Sequence, residues 1–443
     1  MTSPPQLTVT TPVRPSGCPG LLRIVQAMDG GICRVKLAGG SITAAQAMAV
    51  ADVAQGYASG VIEATNRGNL QIRGVGPQHE QLIAPLLAVG LGPRNAASDD
   101  VLNLMLSRCA GIDPRAVIDT WPLARQILHS LETTPRLAEL SAKFAVQLDG
   151  GEALAMLEHH HDLWLSAFDL NGRTLLAFGL AGCPAHDAAV AAVPVEQGHG
   201  LVMAVLTLFL DWARPEQTRL RHVLADVPVE RFVEQLAQRF GLELIALTHW
   251  RRAPQLAQRH IGTYPQREHD RVYVGAVAPL GRLDAPMLRG LAQLVSAQGD
   301  GTLRFTPWQS VLLPNVRAEA ALQVTQQLRS LGLLCDEADP LAHLVACTGS
   351  SACAKGLADT KQDARQLAAN LSHPLNVHLS GCQRSCAAAH DAPVTLLAVA
   401  PGHYDLYLRR PEQPGFGVLC ERNLTIDAAS AWLEARQRSN TDD

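Results

Sequence analysis

Apolar positions recur along this chain at two spacings. Over Ala44 to Tyr57 and again over Ala285 to Ala297 they return every three to four residues, which predicts two helices that bury one face. Around each helix lie shorter, strand-like runs. Ile62 to Ile72 and Leu303 to Leu313 each predict a strand carrying a threonine, preceded by a glycine turn. Further strands are expected at Leu344 to Ala346 and Leu375 to Leu379. A polar helical stretch, Val227 to Phe240, and a basic connector, Trp250-Arg-Arg-Ala-Pro, lie between the copies.

These elements repeat. A shift of 241 positions without a gap places Gly40 on Gly281, Ala51 on Ala292, Gly60 on Gly301, Thr65 on Thr306 and Val75 on Val316. A second overlay, at a shift of 231, sets Val146-Gln-Leu-Asp-Gly on Val377-His-Leu-Ser-Gly. There the copies diverge, because Gly381 is followed by Cys382 and Gly150 by Gly151. The chain therefore reads as module A, module B, module A, module B, with the bounds 10–84, 85–255, 256–335 and 336–437.

Composition narrows the function. A chain of 443 residues, 47% hydrophobic and 18% charged, can bury a large core divided among several domains. A net charge of -4 offers no broad basic field, so no nucleic-acid role is expected, and an anionic partner must be met by a local pocket of cations. The longest apolar run, Leu201 to Leu210, is well short of the roughly 20 residues that cross a bilayer. No membrane role is expected, and the start shows no secretion signal, so the address read from the sequence is cytoplasmic. Ten cysteines in such a chain suit reduced thiols or metal ligands better than a disulfide framework.

The chemistry is concentrated in Cys347-Thr-Gly-Ser-Ser-Ala-Cys353 and Cys382-Gln-Arg-Ser-Cys386. Each pair begins where a strand runs out. Two short-spaced pairs delivered from neighbouring strand ends suit the four thiolates of one 4Fe-4S cluster, with Gly349 and Gly381 letting backbone N–H groups approach the sulfur atoms. A zinc site and inert thiols remain open as other readings, although the five-residue gap is wider than zinc knuckles prefer. Cys18, Cys33, Cys109, Cys183, Cys335 and Cys420 are expected to pack as small hydrophobes.

On the spacing Cys-x5-Cys and Cys-x3-Cys and on the paired modules, the chain resembles the siroheme nitrite and sulfite reductase superfamily over nearly its whole length. The resemblance implies an α+β fold of duplicated nitrite/sulfite reductase-like architecture. Two ferredoxin-like half-domains and two cluster-type αβ modules would be related by pseudo-two-fold symmetry. The opening Arg14-Pro-Ser-Gly-Cys-Pro-Gly-Leu-Leu-Arg23 with Asp29-Gly-Gly-Ile-Cys-Arg-Val-Lys-Leu37 looks like the precorrin-3B synthase branch of aerobic cobalamin biosynthesis. For that branch the resemblance implies an O2-dependent monooxygenase that hydroxylates C20 of precorrin-3A and closes a γ-lactone. It implies a 4Fe-4S cluster, a mononuclear non-haem iron and no siroheme. Its partners would be precorrin-3A, O2 and an external electron donor, either an NADH-linked reductase or a ferredoxin.

The departures point the same way. The reductases' macrocycle-binding Arg-Asn reads Leu102-Asn103, and their anion-binding Lys-Phe-Lys reads Lys143-Phe-Ala145, so one lysine for sulfite or nitrite is absent. A precorrin carries many carboxylate arms, which arginine pairs with through two parallel hydrogen bonds. By the family's pattern Arg34, Lys36, Arg67 and Lys143 are the expected substrate cations, with Arg73 a lesser candidate. Arg34 and Lys36, two apart on a strand, leave the same face. Iron of the mononuclear kind is typically held by two histidines and a carboxylate. Neither His159-His160-His161-Asp162 nor His390-Asp391 supplies a clean set, so no iron ligands are assigned and the catalytic residues stay unknown. The rival readings are a siroheme-dependent reductase and a non-catalytic iron–sulfur electron carrier.

Overall fold

The structure, a computed structural model, describes residues 17–254, 259–388, 392–410, 413 and 415–441. The expected bounds at residue 10 and at 255/256 fall outside these.

The two helices form where the pattern places them, over Ala44–Tyr57 and Ala285–Gln298. Their starts are built alike. Thr43 accepts from the Gln46 N–H while the Gln46 side chain accepts from the Thr43 N–H, a reciprocal cap; in the second copy Asp284 accepts from the Met287 N–H at 2.7 Å. The turn before each helix needs left-handed backbone at two successive positions, met by Gly39 and Gly40 in one copy and by Leu280 and Gly281 in the other.

The two halves exchange a strand. Ser41–Thr43 of the first pairs antiparallel with Thr302–Phe305 of the second, Ile42 opposite Leu303, while Arg282–Asp284 pairs with Val61–Ala64, Leu283 opposite Ile62. Two five-stranded antiparallel sheets result, sharing one apolar core with both helices. The exchange ties the halves into one body, which the pattern did not foretell. It also did not foretell that each expected long strand is a hairpin. Ile62 to Ile72 is two strands, Val61–Ala64 and Leu70–Val75, and its copy is Thr302–Phe305 and Ser310–Arg317. The threonine lies in the turn: Thr65 N–H donates to Asn69 O and Thr306 N–H to Ser310 O, both at 2.9 Å. The turns carry breakers, Gly68 in one and Pro307 in the other, yet the apolar residues on either side of each read through them as one run. The first half ends with the helix His79–Ala88, which runs across the expected boundary at 84.

The remaining modules share one topology. In the first, Leu104–Leu106, Val146–Asp149 and His161–Leu170 are parallel, followed by antiparallel Arg173–Gly182 and Ala191–Pro194. In the second, Leu344–Ala346, Val377–Ser380 and Val394–Ala400 are parallel, followed by antiparallel His403–Leu408 and Val418–Thr425. Val146 and Val377 hold the same place in the two sheets, as the second overlay predicts. The run Leu201 to Leu210 lies within the helix Gly198–Trp212, where Leu201, Val205, Leu208 and Phe209 are wholly buried. At about 1.5–3 kcal/mol per fully buried large side chain, this helix is a main anchor of its module. Among the described residues no helix is long and apolar enough to cross a membrane. The polar helix begins at Val229 and ends at Phe240, and the connector after it is packed: Trp250 lies 4.8 Å from the Phe168 ring and Arg252 pairs with buried Asp149 at 2.6 Å.

Candidate functional site

Leu344–Ala346 and Val377–Ser380 are neighbouring parallel strands with Ala346 opposite Leu379, so both end at the same edge of the sheet. The carboxyl edge of parallel strands is where open α/β sheets present their sites. Cys347 follows one strand directly, and Gly381-Cys382 the other. Backbone bonds fold the first loop on itself, Cys353 N–H to Gly349 O (3.0 Å) and Ser350 N–H to Ala358 O (2.8 Å), and Leu357 N–H to Gly381 O (2.9 Å) ties it to the second. Glycine is needed where the loops touch. Gly349 has φ +70°, and a Cβ on Gly356 would sit 2.5 Å from Gly349 C. The Gly381 N–H donates to Cys347 Sγ at 3.2 Å, and the Thr360 hydroxyl lies 3.5 Å from the same sulfur.

Cys347, Cys353 and Cys382 lie near enough to Cys386 for charge on them to be felt there. Burial pushes the Cys386 thiol above its ordinary range, and the charges of Cys382, Cys347 and Cys353 push it the same way. Four thiolates that repel one another need a cationic centre, and a 4Fe-4S cluster is such a centre with N–H···S bonds as its usual support. The donor set and the N–H of Gly381 fit that group, and Cys347, Cys353, Cys382 and Cys386 are the residues that could hold it.

Beside the thiols is a cavity of about 150 Å³, lined by Arg34, Gln71, Glu63 and Asn66 together with Cys347 and Cys386. The first half-domain supplies its other wall: Asn66 Nδ2 donates to Cys386 O at 3.1 Å, and Thr348 Oγ1 to Glu63 at 3.3 Å. Glu63 is held as a carboxylate, against its own burial, by Lys361, Arg73 and Arg282. Lys361 is buried too and donates to Leu280 O (2.6 Å) and Ala346 O (3.2 Å), joining three modules beneath the cysteine loops. A cavity of this size is below the roughly 300–1,000 Å³ of pockets that enclose a drug-sized ligand.

Arg34 and Lys36 do leave one face, since Cys33, Val35 and Leu37 between and beside them are buried. Arg67 stands in the hairpin turn that also carries Thr65. Burial lowers the pKa of Arg34 and of Arg67, the latter with Arg219 and Arg34 adding to it, and brings Lys36 down to about 8. Among the described residues none of the three has a carboxylate at ion-pair distance: Lys36 donates to Asp100 O at 2.8 Å, and Arg34 to the Gln71 side-chain oxygen at 2.7 Å once that amide is turned toward it. Asp99 and Asp100 act on Lys36 and Asp162 on Arg67 from further off, yet three half-buried cations without a direct ion pair leave room for an anion to complete them.

The other candidates differ. Arg73 is 4% exposed and paired with Asp29 at 2.8 Å and Glu63 at 3.6 Å, so it braces the first half-domain. Lys143 is exposed and does not line the cavity. Asp162 is consumed by Arg219 and by the Ala145 and Leu220 N–H groups. His390 and Asp391 lie outside the described residues. Sequence reasoning missed Glu63, Gln71, Lys361 and Arg219; Glu63 is a lone charge in an apolar strand and the others stand among further polar residues, so only the fold shows what each faces.

The comparisons agree with this architecture. A model of the nitrite/sulfite reductase ferredoxin-like half domain matches residues 24–88 and 264–331, and one of the nitrite and sulphite reductase 4Fe-4S domain matches 97–244. The latter is the module without the four cysteines, a consequence of the shared topology of the two modules. A chloroplastic ferredoxin–nitrite reductase of Arabidopsis thaliana is 28% identical over 391 residues, 82% of this chain; the chain spans 66% of that enzyme's length. A precorrin-3B synthase of a Sinorhizobium species is 26% identical over 398 residues, 89% of this chain and 83% of that one. The structure of the NirA protein of Mycobacterium tuberculosis superposes with a TM-score of 0.76 at 20% identity, covering 92% of this chain and 80% of that one.

Proposed function

The chain belongs to the nitrite/sulfite reductase superfamily, and within it we propose that this protein is an oxidoreductase of the precorrin-3B synthase type. It hydroxylates C20 of precorrin-3A with O2 and closes the γ-lactone. The observation that carries this reading is the placing of Arg34 in the wall of a cavity that Cys347 and Cys386 also line, with Lys36 leaving the same strand face and Arg67 close enough to add like charge, none of the three in an ion pair among the described residues. A substrate with many carboxylate arms completes such a set. The match to the Sinorhizobium enzyme runs closer to end to end than the match to the plant enzyme, which supports it. So does Ala145, a buried methyl where the resemblance places the second anion-binding lysine of the reductases.

Cys347, Cys353, Cys382 and Cys386 would hold a 4Fe-4S cluster, which supplies electrons one at a time. Arg34 and Arg67 grip acetate and propionate arms through their forks, and Lys36 adds a point charge. Asn66 and Thr348 keep the first half-domain docked against the cysteine loops, so an edge of the macrocycle entering between Arg34 and Cys347 is fixed in distance and angle. In the overall reaction one atom of O2 stays in the product and the other leaves as water, with two electrons from an external donor, an NADH-linked reductase or a ferredoxin.

A second reading, siroheme-dependent nitrite reduction, is favoured by the names of several relatives. Two measurements separate them. The purified protein is expected to show the broad brown absorption of a cluster, and the reduced protein with precorrin-3A under oxygen-18 gas to give a product carrying the label. Intense siroheme bands, or a hydroxylated product without oxygen-18, would overturn the proposal.

A further inference from the structure

In the first cluster-type module, at the end of the sheet where the strand His161–Leu170 begins, three ligating side chains of different kinds meet. His160, Cys183 and Asp187 each offer one atom, and these atoms all lie within 4.8 Å of one another. The sheet sets up the meeting. His161 is opposite Gly182 at the open end of the antiparallel pair His161–Leu170 and Arg173–Gly182, and the same register one residue further puts His160 opposite Cys183. The turn after the second strand brings in the carboxylate: Asp187 N–H donates to Cys183 O at 3.0 Å, and Asp187 Oδ2 accepts from the Cys183 N–H at 2.7 Å.

Two features show that the backbone is shaped around this corner. A Cβ on Gly182 would lie 2.2 Å from Asp187 Oδ2, so only glycine leaves the carboxylate where it is. Ala181 just before it has φ +57°, a left-handed conformation that costs a non-glycine residue free energy and concentrates at functional positions. The Ala185 N–H donates to Leu157 O at 3.0 Å and the His186 N–H to Cys183 O at 3.3 Å, so the turn that carries Asp187 is held against Cys183. His160 and Asp187 are exposed, so an ion can reach the sulfur from solvent.

We propose that His160, Cys183 and Asp187 form a binding site for one divalent d-block cation, Zn²⁺, distinct from the four-cysteine site. The donor set decides the metal. Thiolate, imidazole and carboxylate together suit borderline-soft Zn²⁺, which is commonly held by three protein ligands with a fourth position open to water. A hard ion such as Mg²⁺ wants oxygen donors, and the two-histidine, one-carboxylate set of non-haem iron is not what stands here. The sequence conceals the site because a whole hairpin, His161–Leu170 and Arg173–Gly182, stands between His160 and Cys183, and Cys183 looks like a packed thiol.

The test uses the full, iron-loaded protein freed of loosely held metal, with Zn²⁺ alone as the probe in equilibrium dialysis and zinc-edge X-ray absorption. The expected result is one tightly held Zn²⁺ per chain with a single sulfur neighbour at ~2.3 Å and nitrogen or oxygen neighbours at ~2.0–2.1 Å. His160→Ala, at an exposed position that leaves the fold alone, should weaken binding at least tenfold with iron and sulfide content unchanged, and Cys183→Ser should remove the sulfur neighbour. Binding unaffected by His160→Ala overturns the proposal. A zinc ion with no sulfur neighbour, or with four, also overturns it, the latter because it places the metal in the cysteine loops.

Discussion

Replacing Arg34 by Met separates stability from binding, because the two should move in opposite directions. Arg34 is half-buried, has the neutral Gln71 as partner and feels Arg67 and Lys36 as like charges. Two unit charges repel by about 4 kcal/mol at 4 Å in an effective dielectric of 20, and by about half that at twice the distance. Met keeps the apolar stem and removes the charge. Losing the bond to Gln71 costs about 1 kcal/mol, so relief of repulsion should leave the ligand-free protein more stable by roughly 0.5–1.5 kcal/mol. The same change removes a charge-assisted contact worth about 1.5–3 kcal/mol to a carboxylate arm, a loss of roughly 10- to 150-fold in affinity. The urea midpoint of the iron-loaded protein, measured at low and high salt, reads the first effect, and the gain should shrink as salt screens it. Anaerobic titration with precorrin-3A reads the second. A variant that is less stable than the parent and binds as tightly refutes the idea that Arg34 is held in waiting for an anion.

Lys36, brought down to about 8 by burial, is cationic below that pH and neutral above it. Affinity for precorrin-3A should therefore fall as pH rises through about 8, and titrations of Lys36→Met should lack that step. For the fold the sign is reversed: the unfolded chain binds this proton more tightly, so the contribution of Lys36 to stability rises with pH between its lowered and its ordinary pKa. Cys386→Ser should lower iron, acid-labile sulfide and turnover together; a fully loaded and active variant refutes the ligand assignment. Gly381→Ala places a methyl 3.3 Å from Cys347 Sγ and 3.2 Å from Gly356 Cα. Overpacking of about 1–3 kcal/mol should follow, seen as faster iron loss on dilution, and unchanged retention would show that the loops yield freely.

What could be read from the sequence was whatever repeats or pairs at short range. The helices at Ala44 and Ala285 announced themselves because a buried face forces apolar residues to recur, and the cysteine pairs because a cluster constrains spacing. The hairpin turns at Thr65 and Thr306 stayed hidden because they were marked only by Gly68 in one copy and Pro307 in the other, single breakers within runs whose apolar residues otherwise continue like one strand. The exchange of Ser41–Thr43 and Arg282–Asp284 was hidden for another reason: pairing between strands that far apart leaves no local trace. Charges were the least legible. Arg67 and Arg73 look alike in the chain, yet one faces other cations and the other is paired with Asp29 and Glu63.

The duplication explains why the two αβ modules have such different chemistry on one frame. Each presents two loops at the ends of its first two parallel strands. In the second module those ends begin with Cys347 and Gly381-Cys382; in the first they begin with Ser107 and Gly150-Gly151. The first frame's loops are closed by the protein itself. The Ser107 hydroxyl donates to Leu154 O at 2.6 Å, the Gly150 N–H is taken by Glu152 at 2.7 Å, and Arg304 of the second half-domain reaches in to bond Arg108 O and Ala110 O. With those donors and acceptors satisfied internally, that module carries no cysteine at the first position of either loop, and its Arg108 instead supports the hairpin turn through Arg67 O at 2.7 Å. One copy thus braces the cation that the other copy's site would use, which gives both modules a reason to be retained.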